Sequence, residues 1–206
     1  MTIEKLQRGI QELQLDMPTE QQERLLDFLQ LLQKWNKSYN LTAITEMDEM
    51  ITHHALDSLA VAQYLSGERI IDIGTGAGFP GIPLALYFPD KKFTLLDSNG
   101  KKTRFLIQAK AALAIDNIEI VHARAETYHT DLCFDAIIFR AVTSVADMID
   151  KTQHLCCEHG QYFAMKGSVP TEELKRIEAP AIVHALAVPG LDAERHLAVI
   201  EGVTGD

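Results

Sequence analysis

The chain has 206 residues, 47% hydrophobic and 23% charged, enough for one sizeable α/β core with a small extension. A net charge of −10, from 29 acidic and 19 basic side chains, excludes a protein that coats nucleic acid over a broad surface, because such affinity comes from neutralising phosphates; a local basic patch stays open. No apolar run reaches membrane-spanning length and Met1-Thr2-Ile3-Glu4-Lys5 lacks signal-peptide architecture, so a cytoplasmic chain with no membrane partner is expected.

Thr19 followed three residues later by Gln22 predicts a capping box, after which Leu25, Phe28, Leu29, Leu32, Trp35 and Tyr39 recur at helical spacing. Trp35 and Tyr39 could stack a flipped base, but at that spacing they are expected in the core. Asn36, Asn40 and Thr42 fall where this helix ends, which suits capping or turn formation. A second helix is predicted to open at Thr45, to bury Met47, Met50, Ile51 and Val61, and to end before Gly67. Residues 1–66 are thus expected to form an N-terminal helical extension. Strands follow near 70–73, 92–97, 118–123, 134–139 and 160–166, separated by helical patterns, and such alternation implies a mostly parallel sheet covered on both faces. Two more strands, 181–188 and 196–201, flank Pro189-Gly190-Leu191-Asp192 and look like a closing antiparallel hairpin. Residues 67–206 are read as one compact domain. Cys133, Cys156 and Cys157 have neither disulfide nor zinc spacing, so buried or incidental thiols and no metal are expected.

The most informative stretch is Ile70-Ile71-Asp72-Ile73-Gly74-Thr75-Gly76-Ala77-Gly78-Phe79-Pro80-Gly81, a buried strand running into a glycine-rich turn and a helix. In one register it fits GxGxxG and a dinucleotide; in the other, Asp-x-Gly-x-Gly-x-Gly from Asp72, it looks like the first motif of S-adenosylmethionine-dependent methyltransferases. Pro80 and Pro83 leave fewer amide donors for a diphosphate at the helix start, which favours the second register. The next apolar run closes on Asp97, where an acid can accept both hydroxyls of a ribose. A nicotinamide-dependent oxidoreductase, and a non-catalytic cofactor-binding protein associated with RNA, stay as alternatives.

Several segments beyond the glycine turn make the pattern specific. Trp35 to Thr42, His54-Ala55-Leu56-Asp57-Ser58, Gly74 to Pro83, Leu96 to Lys102, Phe134-Asp135-Ala136, Arg140-Ala141, Lys166-Gly167 and Glu194-Arg195-His196-Leu197 follow in order. Together they resemble the bacterial small-subunit (16S) ribosomal RNA guanine-N(7) methyltransferases, the glucose-inhibited division protein B family. The likeness covers Trp35 to Ile200. It implies an α/β fold, a class I S-adenosylmethionine-dependent methyltransferase (Rossmann-like) sheet, mostly parallel with a C-terminal antiparallel hairpin, plus N-terminal helices. The implied reaction is methylation of N(7) of a specific guanine in 16S ribosomal RNA, in an assembled or partly assembled small ribosomal subunit. The implied cofactor is S-adenosyl-L-methionine, held by Gly74, Gly76, Gly78 and Phe79, by Asp97, by Ala125 and Glu126 after the third strand, and by Arg140 after the fourth.

Guanine N(7) offers a lone pair with no proton to remove, so such an enzyme has to align its reactants and needs no catalytic acid or base. The fourth strand agrees: it runs into Phe139-Arg140-Ala141-Val142 and lacks the Asn-Pro-Pro-Tyr type segment used on exocyclic amino groups. No cysteine has the Pro-Cys setting expected for methylation of a pyrimidine carbon. Arg140, Lys166 and Arg195 are the candidates for positioning the RNA, against the alternative of solvated strand-end charges. Phe139 departs from the smaller residue expected before the arginine. Lys101, Lys102, Arg104 and Lys110 are read as a solvated helix face, and His54 with Asp57 either as pocket lining or as a buried pair that docks the helical part.

Overall fold

The computed structural model describes residues 2–141 and 144–202, so Val142 and residues 203–206 of the expected domain lie outside it. Seven strands form one sheet in the order β3-β2-β1-β4-β5-β7-β6. These are β1 Arg69–Ile73, β2 Lys92–Asp97, β3 Ile118–His122, β4 Phe134–Arg140, β5 Cys156–Lys166, β6 Ala181–Ala185 and β7 His196–Glu201. The first five are parallel, and β7 runs antiparallel between β5 and β6. This is the expected architecture, with β5 opening at Cys156 and β6 closing at Ala185.

Period-two alternation splits each central strand between two cores. Ile70 and Ile138 pack on one face with Phe93, Leu95 and Phe163, while Ile71, Ile73, Ile137 and Phe139 pack on the other with Leu96 and Tyr162. The first face is the thicker, because the N-terminal helices share its cluster. They are α1 Thr2–Glu12, α2 Thr19–Tyr39, and a third run of α3 Met47–Met50, a π-helical stretch Ile51–Leu56 and α4 Asp57–Leu59. Below them lie α5 Gly81–Tyr87 and α6 Gly100–Ala112; α7 Val145–Thr152 covers the second face, and α8 Thr171–Leu174 follows β5.

α1 lies within the stretch expected to be helical, ahead of the two helices placed there by spacing. It buries Leu6 and Ile10 completely, each such burial being worth roughly 1.5–3 kcal/mol. Gly9 lets it lie against the π-helix, since a Cβ there would meet the Leu56 side chain at 2.4 Å.

The predicted capping box does not form. Pro18 takes the cap position and its carbonyl accepts from the amides of Gln21 and Gln22, so Thr19 is pushed into the helix and Gln22 bonds the Met17 carbonyl. At the other end Asn40 adopts φ 51°, and Asn36 exchanges two hydrogen bonds with the Thr42 backbone, which is the expected turn role. The second helix starts at Met47 rather than Thr45.

The cysteine expectation is also overturned, because Cys133 and Cys157 form a disulfide. Its cause is invisible in spacing. The β4–β5 register shifts between Phe134↔Cys156 and Ala136↔Gln161, leaving Cys157 among unpaired residues beside the start of β4. Cys156 is free and half-buried.

Candidate active site

The glycine loop is folded over the carboxyl edge of the sheet by backbone and carboxylate bonds. Gly74 and Thr75 donate their amides to the Leu96 carbonyl, Gly76 donates to Asp97 Oδ2 at 2.8 Å, and Gly81 donates to Asp72 Oδ2 at 2.8 Å. Gly74, Gly76 and Gly78 have φ of +68°, +63° and +100°, which side chains rarely adopt. Their surroundings then divide them. A Cβ at Gly74 would meet nothing within 4 Å and one at Gly76 only Lys102 Nζ at 3.6 Å and the Gly74 carbonyl, so these two leave a cradle; at Gly78 it would strike Ile82 and Leu106 at 2.9 Å. Gly78 therefore serves close packing beneath the loop.

The cradle opens into a cavity of about 180 Å³ whose walls include Thr42, His54, Gly74, Gly76, Phe79 and Arg140, with Lys102 on its rim side. His54, Arg140 and Ala141 are shared with a second chamber of about 520 Å³, which also carries Asp57, Lys166 and Arg195. The two cavities thus adjoin at the end of β4, with His54, Arg140 and Ala141 between them. Asp97, Ala125 and Glu126 stand at the ends of β2 and β3, outside the walls of both. Asp97 also holds the loop, its second oxygen accepting from the Asn99 amide at 2.7 Å, which leaves acceptor capacity on both oxygens. Phe139 is fully buried in the second core and lines neither cavity.

The π-helical stretch places the polar groups at this junction. π-turns within helices are frequent at functional sites. The His54 ring stacks on Phe79 with centroids 4.4 Å apart, and its Nε2 lies 2.9 Å from the Thr42 hydroxyl. Burial first, and then the Arg140 cation, lowers its pKa to about 4, so the imidazole is neutral at pH 7. Beneath the loop, burial raises the Asp72 carboxyl to about 6, opposed by the Thr75 hydroxyl, the Gly81 amide and Arg140.

Asp57 is 3% exposed and ties two arginines together: Oδ2 accepts from Arg140 Nη1 at 3.2 Å and Oδ1 from Arg195 Nε at 2.9 Å. Arg140 also donates to the His53 carbonyl at 3.2 Å and faces the Phe79 ring. Lys166 pairs with Glu173 Oε1 at 2.8 Å, and Glu173 accepts the Val145 amide as well. Burial pushes the Glu173 carboxyl up, but the Lys166 and Val145 bonds outweigh it and hold it below its usual value. All three cations predicted to position substrate therefore meet at one chamber, each already fixed by a carboxylate. Glu173 carried no signal in the sequence. Lys102, read as a solvated face, instead points to the cradle, and Tyr39, expected in the core, is 47% exposed.

A parallel sheet closed by one antiparallel strand, with a glycine cradle after β1 and an acid at the end of β2, defines the class I S-adenosylmethionine-dependent methyltransferases. TYW2 of *M. jannaschii*, solved in complex with AdoMet, superposes with a TM-score of 0.54 over 71% of this chain and 74% of its own at 17% identity, which shows the fold. The family model of rRNA small subunit methyltransferase G, GidB, matches residues 21–198. A ribosomal RNA small subunit methyltransferase G of *Coxiella burnetii* (strain Dugway 5J108-111) is 51% identical over 202 residues, covering 98% of this chain and 99% of that one. Its counterpart in *Hydrogenovibrio crunogenus* is 52% identical over 181 residues, covering 86% and 84%. The chain belongs to this methyltransferase family. Neither the oxidoreductase nor the non-catalytic alternative finds support in these relatives.

Proposed function

We propose that the chain transfers a methyl group from S-adenosylmethionine to N(7) of a guanine in 16S ribosomal RNA, in the cytoplasm and on an assembled or partly assembled small subunit. The observation that carries this reading is the junction of the glycine cradle with a chamber large enough for a base, with His54 and Arg140 common to both. The relatives supply the substrate class.

Bound S-adenosylmethionine supplies an electrophilic methyl on its sulfonium. In this reading Gly74, Gly76 and Phe79 would seat it, with Asp97 holding the loop from behind and Ala125 and Glu126, at the end of β3, completing the same edge of the sheet. Residues 1–66 act as an extension of the domain 67–206, supplying Thr42, His54 and Asp57. Arginine bidentate to O6 and N7 is the usual way to read guanine. Here it would occupy the lone pair that must react. Asp57 removes that freedom by fixing Arg140 Nη1 and Arg195 Nε, leaving other donors of the guanidiniums for O6 or phosphate. Alignment of this kind can lower a barrier by roughly 7–11 kcal/mol without any proton transfer.

The test is transfer of labelled methyl from S-adenosylmethionine to small subunits prepared from cells lacking the protein, followed by cleavage mapping at N(7)-methylguanine. A single modified guanine is expected. Transfer to no ribosomal RNA substrate would refute the reading, and equal transfer to a short unstructured oligonucleotide would refute the preference for the particle.

A further inference from the structure

We propose that Tyr39 is a stacking platform for an unpaired nucleobase of the RNA strand that flanks the target guanosine, with Lys101 and Lys102 taking the adjoining phosphates. The inference rests on the RNA-methylating reading above.

Tyr39 is the last residue of α2, and its ring is held from one side only. It stacks on Trp35 with centroids 5.0 Å apart, Trp35 leans on Phe105 of α6 at 5.7 Å, and Phe105 is fully buried. A stack anchored in the core thus ends in an aromatic ring that is 47% exposed. No hydrogen bond of the Tyr39 hydroxyl is seen among the described residues, so the open ring offers an aromatic face and a free polar edge.

The position of the ring follows from the helix pairing. Arg24 on α2 donates to the carbonyls of Leu113 and Ala114 beyond the end of α6, and Trp35 meets Phe105 midway, so the helices run antiparallel. The end of α2 at Tyr39 therefore lies beside the start of α6, where Lys101 and Lys102 stand. Lys102 Nζ reaches the glycine cradle, and Leu41 and Thr42, next along the chain from Tyr39, line the same cavity. The platform is on the rim of the cofactor site.

Charge separates this ridge from the rest of an acidic protein. Residues 28–45 and 98–115 contain no aspartate or glutamate, yet they carry Lys34, Lys37, Lys101, Lys102, Arg104 and Lys110. Lys101 and Lys102 form no ion pair among the described residues. A fixed aromatic face beside unpaired cations is the combination that holds single-stranded nucleic acid, the ring by stacking and the cations by phosphate neutralisation.

The test compares Tyr39→Leu, which keeps apolar bulk, with Tyr39→Phe, which keeps the ring. With the small subunit as substrate, Tyr39→Leu is expected to raise KM by roughly 5- to 100-fold, with S-adenosylmethionine affinity and melting temperature unchanged. Tyr39→Phe should stay within about twofold of wild type. A second arm needs no methyl transfer: Trp35 is the only tryptophan of the chain, so its fluorescence reports stacking on Tyr39 when polyadenylate is titrated in. A saturable change that weakens in Tyr39→Leu supports the platform even if ribosomal RNA proves not to be the substrate. An unchanged KM in Tyr39→Leu, a Phe variant as impaired as the Leu variant, or polyadenylate binding indifferent to residue 39 would each overturn it.

Discussion

The chamber at the ends of β4 and β5 and the ridge formed by α2 and α6 both carry positive charge to the rim of one cofactor site, yet they use it differently. In the chamber every candidate cation is matched, Arg140 and Arg195 to Asp57 and Lys166 to Glu173. On the ridge Lys101 and Lys102 have no such partner among the described residues. Matched charges buried together are held to one geometry, and their attraction for a distant polyanion is largely cancelled. Unmatched charges at the surface do the reverse. They draw phosphate from a distance and specify little. An acidic protein can thus capture RNA on one surface and orient a base on another.

The largest expected effect falls on the loop between the two regions. Gly76→Val puts a side chain into the open cradle at φ +63°, and should abolish S-adenosylmethionine binding while circular dichroism stays unchanged. Calorimetry showing wild-type affinity would mean that the cradle is not the cofactor site. Next is the clamp. Asp57→Asn removes the shared carboxylate and leaves two partly buried guanidiniums unmatched, for an expected loss of about 3–5 kcal/mol in urea unfolding. Lys101→Ala and Lys102→Ala should stay within about 0.5 kcal/mol of wild type, each instead flattening the salt dependence of RNA binding by about 0.7 in slope. Comparable destabilisation by the ridge and clamp variants would erase the distinction.

A smaller effect separates the regions by pH. His54 has a folded pKa of about 4 against an ordinary 6.5, so the unfolded chain binds its proton more readily. Its contribution is intact above pH 6.5 and is lost as pH falls toward 4, by at most about 3 kcal/mol. Asp72 acts in the opposite sense. Its folded pKa of about 6 lies above an ordinary 3.8, so it adds stability as pH falls through 6. The wild type should therefore show a shallow profile between pH 4 and 6.5. In His54→Gln stability should rise as pH drops across that window, and an identical profile in the two proteins would show that His54 is not held neutral. The smallest effect is on chemistry. With no proton to abstract, kcat at saturating substrates should vary less than about twofold from pH 6.5 to 8.5, and a tenfold change per unit would reveal a titrating base.

What was legible in the sequence is what local rules determine. Alternating apolar runs such as 70–73 and 134–139 had to be covered strands, and glycines at 74 and 76 had to mark a turn free of side chains. Thr19 misled because a capping motif is judged by what precedes it, and Pro18 displaced it from the cap. The Cys133–Cys157 bond and the roles of Asp57 and Lys102 depend on pairings between residues well separated in the chain, whereas Glu173 meets Lys166 only because the chain turns back within seven residues after β5. The Asp57–Arg195 contact spans 138 residues. Exposure of Tyr39 was hidden for a related reason: helical spacing tells which residues share a face, but not where the neighbouring helix stops covering it.

The π-helical stretch Ile51–Leu56 makes the clamp sensitive to residue count as well as to residue type. Because a π-turn accommodates one more residue than an α-turn, the arc from His53 to Asp57 is phased by an extra link in the chain. Removing any single residue there would let the segment relax to α geometry and rotate Asp57 away from one arginine, although every named side chain could still be present. Substitutions that preserve length, such as Ala55→Ser, leave that phase intact. The reading frame of a helical turn thus acts as a spatial ruler for the site. A one-residue deletion should lose more methyl transfer than any single conservative replacement within the same turn.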